Sequence, residues 1–286
     1  MPAAKNDSIP IVLTHRGYSW YLPYSLCQAR ASNPRARVLL ITDQRPPLPR
    51  RFAEIVPLRD HWQEAEDFAR IYTHLSPNSY DFELFCFQRW FVLNSVMVQL
   101  ALDRCFFLDS DVLLYSDLTE VDQSYRAVDM TVNFEQGPYS CFINRAATLR
   151  DFCDYINLLF RTHTAAMQAD YRQWQQAGLH GGISDMHALK HFIRERGIQV
   201  MDTSEIVNDA TFDTVIHESN GYETRDGQKA VIWRKNTPFV THLARPKPVR
   251  FHTLHMQGNS KASILTHHRL GRFRSLAIGV YNRLRH

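Results

Sequence analysis

The chain has 286 residues, of which 44% are hydrophobic and 12% aromatic, enough to bury the core of one large domain or two small ones. No uncharged apolar run reaches the roughly 18 residues of a membrane-spanning helix, and no apolar stretch follows Met1, so we expect neither a transmembrane segment nor a secretory signal. The net charge is +4, but residues 261–286 hold one Lys, five Arg and no acid, which leaves residues 1–260 slightly acidic. This balance argues against a general nucleic-acid-binding surface on the body of the protein and directs any polyanion or membrane argument to its basic end.

The cysteines indicate a reducing compartment. They are odd in number, form no C-x-x-C pair and mostly stand in apolar runs, as reduced core cysteines do. We therefore expect a cytoplasmic protein. The five are Cys27, Cys86, Cys105, Cys141 and Cys153.

Apolar runs and turn signals predict alternating strands and helices in the first part of the chain. Residues 9–13 read as a strand, 23–31 as a helix and 37–43 as a second buried strand that the sequence QRPPLP ends. Helices are predicted over 61–74 and 81–103, the second apolar nearly all round and therefore buried. The strand–helix–strand opening is typical of a parallel α/β sheet.

The second part begins with the strands RCFFLDSD and DMTVNF. A strand over 137–143 is predicted to lead into a helix over 146–160, and a polar Gln-rich stretch follows. Gly181 and Gly182 then form a turn, after which Ser184 caps a helix over 185–194. The sequences TVIHE, AVIWR and FVTHL predict short strands. Because no repeat or low-complexity linker interrupts this order, we expect one α/β domain over residues 1–261 and a basic amphipathic tail over 262–286.

Two carboxylates, Asp109 and Asp111, stand where an apolar strand leaves the core. Ligands of open α/β sheets bind beyond the carboxyl ends of the strands, and residues i and i+2 of an extended chain point the same way. Two such acids repel each other unless a cation lies between them, and hard oxygen ligands suit Mg²⁺ or Mn²⁺. The alternative interpretation is a capping or surface acid pair.

The sequence HMQGNSK, late in the chain, offers complementary groups. His255 is a suitable third ligand for a divalent metal, Gly258 lets the backbone approach a phosphate, and Lys261 supplies a positive charge for a diphosphate. The alternative is a turn with a surface lysine.

Together, Asp109-x-Asp111 and His255-x-x-Gly258-x-x-Lys261 resemble the paired motifs of the family 8 glycosyltransferases, which include glycogenin and the bacterial lipopolysaccharide galactosyltransferases. The order of predicted elements over most of residues 9–261 also resembles their GT-A fold, a Rossmann-like mixed sheet flanked by helices. The resemblance implies a metal-dependent enzyme that moves a hexose or N-acetylhexosamine from a UDP-sugar to a glycan or lipid-linked acceptor, with retention of configuration. It also implies these roles: Asp109, Asp111 and His255 bind Mn²⁺ or Mg²⁺, Gly258 and Lys261 hold the phosphates, and Ser110 lies against the ribose.

Further donor-binding residues are expected on the helix and loop that flank the motifs. Arg89, a guanidinium in an apolar helix, needs an anionic partner, which is either the donor or a structural carboxylate such as Glu83. The resemblance places Thr14, His15 and Tyr18 in a base-binding loop, where Tyr18 could stack on uracil, although an ordinary surface loop explains them as well.

Asp185 matches the position of a family acid that meets the donor sugar. The resemblance implies a catalytic role for it, while the alternative is an acid in the first turn of a helix, where it favours the dipole. The chain departs from the family at the next position, where Met186 replaces the usual Gln. It departs again after Lys261, where Ala262-Ser263 replaces the family's Pro-Trp.

The basic end carries an apolar stripe at spacings of three and four, bordered by arginines. Such a helix can lie on an anionic membrane or pack on the body. We expect membrane contact through Arg269, Arg272, Phe273 and Arg274, peripheral on the inner face of the cell membrane. The stripe comprises Leu270, Phe273, Ala277, Val280, Tyr281 and Leu284.

Two other functions fit the same residues. Asp109-Ser110-Asp111 after an apolar strand also resembles the nucleophile motif of haloacid dehalogenase-like phosphatases, although those place it on their first strand. The third possibility is a sugar-nucleotide-binding protein without turnover.

Overall fold

The fold is built on a mixed β-sheet, and the computed structural model describes residues 8–46, 48–179, 181–271 and 278–279. The strands of the first two thirds of the chain are β1 (Ile11–His15), β2 (Val38–Thr42), β3 (Glu54–Pro57), β4 (Cys105–Leu108), β5 (Val112–Leu114), β6 (Met130–Val132), β7 (Ser140–Ile143) and β8 (Val200–Asp202). Within the described residues the main sheet has seven strands in the order β3-β2-β1-β4-β7-β6-β8. The first four run parallel, and β7 runs antiparallel to both β4 and β6.

Helices cover both faces of this sheet. They are α1 (Leu22–Ser32), α2 (Gln63–Ala69), α3 (Tyr80–Gln99), α4 (Leu118–Val121), α5 (Ala146–Thr162), α6 (Thr164–Gln176), α7 (Asp185–Arg196) and α8 (Ile264–His267). Alternation along β4 divides the core, because Phe107 faces the cluster that contains α3 and α5 while Phe106 faces the cluster that contains α1. The predicted α/β fold with a mixed, helix-flanked sheet is confirmed.

A second, smaller β layer forms from the later part of the chain. Its strands are β9 (Ala210–Thr211), β10 (Thr224–Arg225), β11 (Gln228–Lys229), β12 (Ile232–Arg234), β13 (Thr237–Val240), β14 (Val249–Phe251) and β15 (Thr253–His255). The strand order of the four-stranded part is β12-β13-β14-β9, and β15 pairs antiparallel with β5, with His255 opposite Val112. The two-stranded β5–β15 ribbon therefore places the late motif beside the Asp-x-Asp segment.

Most predicted elements are present, with differences where polar residues dominate. The predicted helix over 61–74 is wrong in its bounds: a 3-10 helix covers Leu58–His61 and α2 ends at Ala69. Helix α6 was not predicted, because its sequence is Gln-rich and buries only Met167 among its thirteen residues. The sequence TVIHE is not a strand; it runs beside His255 as irregular chain.

The end of the described chain packs against the body. Leu270 and Ile278 belong to a third buried cluster together with Tyr24 and Phe52. Of the proposed membrane-contact residues, Arg272, Phe273 and Arg274 lie outside the described residues, as does the apolar stripe beyond Leu270. Within the described ranges, no helix has the length and apolar character needed to cross a membrane.

Candidate metal and nucleotide site

The Asp-x-Asp segment forms a tight turn between β4 and β5. The Asp109 N–H donates to the Tyr139 carbonyl at 2.7 Å, and the Val112 N–H donates back to the Asp109 carbonyl at 3.2 Å. The extended geometry expected for Asp109 and Asp111 is therefore wrong: the chain reverses locally, and each carboxylate has its own set of partners. The predicted position at the carboxyl end of β4 is correct.

Asp111 meets both polar side chains of the late motif. Its Oδ2 lies 3.2 Å from Lys261 Nζ, and its Oδ1 lies 3.7 Å from His255 Nε2. The Asp111 carbonyl also accepts the Met256 N–H at 2.9 Å. The late motif thus meets the Asp-x-Asp segment at the Asp111 carboxylate, although the two are far apart in the chain.

The imidazole of His255 is fixed in one orientation. Its Nδ1 lies 2.8 Å from the Thr214 carbonyl, and a carbonyl can only accept, so Nδ1 donates there and Nε2 is directed at Asp111. The ring also stacks on Tyr139, with centroids 4.1 Å apart. A histidine whose one ring nitrogen donates to a carbonyl while the other faces outward is typical of metal-binding histidines.

Arg89 links the first acid of the motif to Asp185. Its guanidinium donates to Asp109 Oδ1 and to Asp185 Oδ2, both at 2.8 Å, and Asp185 Oδ2 also accepts from Trp90 Nε1 at 2.9 Å. The suggested structural partner Glu83 is wrong, since Glu83 is buried and accepts from Ser76 and from an asparagine. Asp185 is thus a buried acceptor in the first turn of α7, the position that the alternative interpretation gave it.

The negative charge in the site exceeds the positive charge. Burial, opposed by the Arg89 guanidinium and assisted by the charge of Asp111, raises the pKa of Asp109 to about 6. Among side chains placed in contact with one another here, three acids face two cations, Arg89 and Lys261. The region therefore favours an additional positive charge.

The loop after β1 lies against the Asp-x-Asp turn. His15 Nδ1 is 2.9 Å from Ser110 Oγ, while His15 Nε2 and Thr14 Oγ1 are buried without a hydrogen-bond partner among the described residues. Burial lowers the pKa of His15 to about 4, so the ring is neutral near pH 7. Tyr18 is half-buried in the same loop. Buried polar atoms with free capacity beside Ser110 are suited to receiving a polar ligand.

Gly258 and Lys261 lie in a 3-10 helix over Gly258–Ser263. Gly258 adopts φ +59°, a left-handed conformation that favours glycine. Lys261 Nζ lies 5.4 Å from the ring centroid of Tyr21, which limits the positions its ammonium can take. The ammonium is thereby directed to the Asp111 side of the site.

Met186 forms an apolar wall next to Asp185. Its side chain lies against Gly137 so closely that a Cβ on that glycine would overlap Met186 Cγ. Gly182, in the loop before α7, also lies close to its neighbour, because a Cβ on it would lie 2.6 Å from the Leu75 carbonyl oxygen. Both glycines are required by contact with their neighbours.

The donor set suits Mn²⁺ or Mg²⁺, although the ligands are not drawn together. The described part of the chain contains no group of three His, Cys, Asp or Glu side chains close enough to hold a metal ion as they stand. Asp111 Oδ1 and His255 Nε2 nevertheless lie 3.7 Å apart, and Asp109 Oδ1 accepts a hydrogen bond from Arg89. Oxygen and imidazole ligands with a fixed tautomer fit a divalent cation.

Several residues of the site give no signal in the sequence. Tyr139, Asp213 and Thr214 contact His255, and Lys229 pairs with Asp213, yet none of the four belongs to a recognisable motif. Only the pairing of β5 with β15, which the sequence does not reveal, brings them into place.

No protein-family model and no curated protein matches this chain. Among solved structures, the apo-form glycosyltransferase GlyE of Streptococcus pneumoniae TIGR4 is similar with a TM-score of 0.40 and 11% identity, over 69% of this chain and 46% of GlyE. This chain therefore spans less than half of GlyE.

Two structures of LgtC are similar over nearly the whole length of both chains. An active-site mutant matches with a TM-score of 0.45 and 13% identity, over 96% of each chain. The galactosyltransferase LgtC in complex with donor and acceptor sugar analogs matches with a TM-score of 0.44 and 13% identity, over 96% of this chain and 95% of that one. GlyE is a glycosyltransferase and LgtC a galactosyltransferase.

Proposed function

We propose that this protein is a metal-dependent glycosyltransferase that moves a hexose or N-acetylhexosamine from a UDP-sugar to a glycan or lipid-linked acceptor. The observation that supports this most is the convergence of His255 and Lys261 on Asp111, at the carboxyl end of β4. A metal-bound diphosphate requires the groups of both motifs, the carboxylates and imidazole for the cation and the ammonium for the phosphates.

The residues divide the binding task by charge. Asp109, Asp111 and His255 hold Mn²⁺ or Mg²⁺, which when bound neutralises the diphosphate and the charge that develops on the leaving group. Lys261 and the backbone at Gly258 bind the phosphates. This arrangement removes the need for an acid that protonates the departing nucleoside diphosphate.

The remaining polar groups suit the nucleoside and sugar. His15, Thr14 and Ser110 present buried polar atoms to the nucleoside, and Tyr18 stacks on the base. Arg89 and Asp185 border the sugar, where the carboxylate stabilises positive charge at the anomeric carbon, with retention of configuration.

The decisive experiment measures binding of UDP with Mn²⁺ by titration calorimetry. Asp111→Asn is the preferred variant, because it unpairs only the partly exposed Lys261, whereas Asp109→Asn would break the ion pair with the more buried Arg89. We expect Asp111→Asn to weaken Mn²⁺-dependent UDP binding at least tenfold, about 1.4 kcal/mol. The control is Asp103→Asn, an exposed acid just before the same strand, which should bind as the native protein does. Equal binding by both variants would refute the metal site.

Turnover separates the enzyme from a binding protein. Incubation with UDP-glucose, UDP-galactose and their N-acetyl forms should release UDP only when Mn²⁺ or Mg²⁺ is present. A protein that binds UDP with Mn²⁺ but releases no UDP from any donor or acceptor mixture is the non-catalytic alternative. Release of phosphate from sugar phosphates would favour the phosphatase alternative instead.

The basic segment over residues 262–286 suggests that the enzyme binds its acceptor at a membrane surface. We propose that the arginines from Arg269 onward contact an anionic membrane surface while Leu270 packs on the body, with residues 1–261 as the catalytic domain and 262–286 as the tail. Charge reversal at Arg272 and Arg274 should reduce cosedimentation with phosphatidylglycerol vesicles while UDP binding stays unchanged. Unchanged cosedimentation would show that these arginines do not contact the membrane.

A further inference from the structure

A buried ion pair contacts the backbone of His255. Lys229 Nζ and Asp213 Oδ1 are 2.9 Å apart, with side chains 1% and 0% exposed. A fully buried pair costs desolvation energy that replacement by apolar residues would avoid, so its presence is not explained by stability alone. The Asp213 carboxylate of this pair also accepts a hydrogen bond from the backbone of His255.

Residues 213–216, called here the histidine-binding segment, hold His255 through its backbone and its ring. Asp213 Oδ2 accepts the His255 N–H at 3.0 Å, and the Thr214 carbonyl accepts Nδ1–H at 2.8 Å. The Ile216 N–H donates to the His255 carbonyl at 3.0 Å. Three bonds from one short segment therefore fix both the position and the tautomer of the imidazole.

The histidine-binding segment has no regular secondary structure of its own, and Lys229 supplies the missing support. Besides its ion pair with Asp213, Lys229 Nζ donates to the Val215 carbonyl at 2.6 Å, and its backbone N–H donates to the Ile216 carbonyl at 2.7 Å. A third group completes the support, as the Tyr139 hydroxyl donates to the Asp213 carbonyl while its ring stacks on His255.

We propose that Asp213 is a positioning residue of the metal site, which holds the His255 ring with Nε2 directed at Asp111, and that Lys229 keeps the buried Asp213 carboxylate paired. The inference rests on the proposed function, because it assigns a task to groups that contact a proposed metal ligand. The partners of a metal-binding histidine set its orientation and basicity, and their loss typically lowers metal affinity about 10- to 100-fold. Lys229 acts through Asp213, and neither side chain contacts the metal or the substrate.

The test compares two double variants that differ only at position 213, where one carries an amide and the other an apolar side chain. Asp213→Asn with Lys229→Met removes both charges and keeps an amide oxygen for the His255 N–H. Asp213→Leu with Lys229→Met has the same branched skeleton but no polar group. Neither variant contains an unpaired buried charge, so both avoid the largest cost of breaking the pair.

Mn²⁺ affinity, measured by electron paramagnetic resonance of free Mn²⁺, is the first readout. We expect the Asn/Met protein to bind within about threefold of the native protein, and the Leu/Met protein to bind about 10- to 100-fold more weakly. Equal affinity in the two variants would overturn the inference. Failure of the native protein to bind Mn²⁺ would instead refute the proposed function, so the two failures are distinguishable.

A second readout uses the native protein and does not depend on the variants folding. Nitrogen-15 spectra of the histidine side chains, with His255 assigned through His255→Asn, should show a single tautomer protonated at Nδ1 in metal-free protein at pH 8. A mixture of tautomers would contradict a fixed orientation. In the Leu/Met protein we expect that mixture, whereas the Asn/Met protein should keep the native spectrum.

Discussion

Arg89 offers a sharp test of the charge arrangement at the site. The variant Arg89→Met removes a guanidinium that is 13% exposed and leaves Asp109 and Asp185 without their ion-pair partner. Breaking a buried pair from one side typically costs about 3–5 kcal/mol. For a chain of this size the melting temperature in metal-free buffer should fall by roughly 10 °C.

The same variant should respond more strongly to Mn²⁺. Without Arg89, Asp109 Oδ1 is free to bind the cation and a repelling positive charge is gone. A tenfold gain in Mn²⁺ affinity would restore about 1.4 kcal/mol at saturating metal. UDP-sugar binding should nonetheless weaken, because Arg89 is proposed to border the donor sugar.

Arg104→Met serves as the matched control for this experiment. Arg104 pairs with the buried Asp122 away from the site, and Asp122 keeps a second partner in Arg126. We expect a loss of about 2 kcal/mol from that variant and a native response to Mn²⁺. Differential scanning fluorimetry with and without Mn²⁺ measures both effects. If Mn²⁺ raises the melting temperature of the two variants equally, the assignment of Asp109 to the metal is wrong.

Two further predictions concern stability. Gly182→Ala should destabilise the protein by about 1–3 kcal/mol in urea unfolding, because the new Cβ would lie 2.6 Å from the Leu75 carbonyl oxygen. The control Gly271→Ala should leave the stability unchanged, because its Cβ would meet no atom within 4 Å. Burial lowers the pKa of His252 to about 3, below the value near 6.5 expected in the unfolded chain. The neutral form of His252 therefore contributes stability that is complete above pH 6.5 and is lost as the pH falls. The loss in the free energy of unfolding is about 2 kcal/mol at pH 5. His252→Asn should therefore flatten the decline of the melting temperature between pH 7 and 5, and the exposed control His163→Asn should not; parallel declines would show that His252 does not titrate in this way.

The parts of the fold that the sequence predicts are those with strong local signals. Apolar runs mark β1, β2 and β4, and the long apolar helix α3 is recognisable from its composition alone. Helix α6 was missed because it is stabilised by a single buried side chain rather than by an apolar stripe. Local pattern therefore predicts the elements that build the core and fails for those at the surface.

The candidate site shows the same limit. Asp109, Asp111, His255 and Lys261 are predictable because their residue types and spacings carry chemistry. The partners that orient them are not, since Asp213 is a lone acid in an irregular segment and its contact with His255 depends on long-range pairing. The spacing of residues predicts candidate binding groups, whereas only the tertiary structure shows which neighbours orient them.

The β5–β15 ribbon also has a consequence for biosynthesis. It joins segments whose side chains meet across long stretches of chain, as Ser116 and His252 do at a separation of 136 residues. The sheet strands β1 to β4 can assemble while the rest is still being synthesised, but the proposed metal site lacks His255 until the late segment has emerged and paired. A chain released early would contain the acids of the site and be unable to use them, so the protein is expected to gain its activity only as one of the last events of folding.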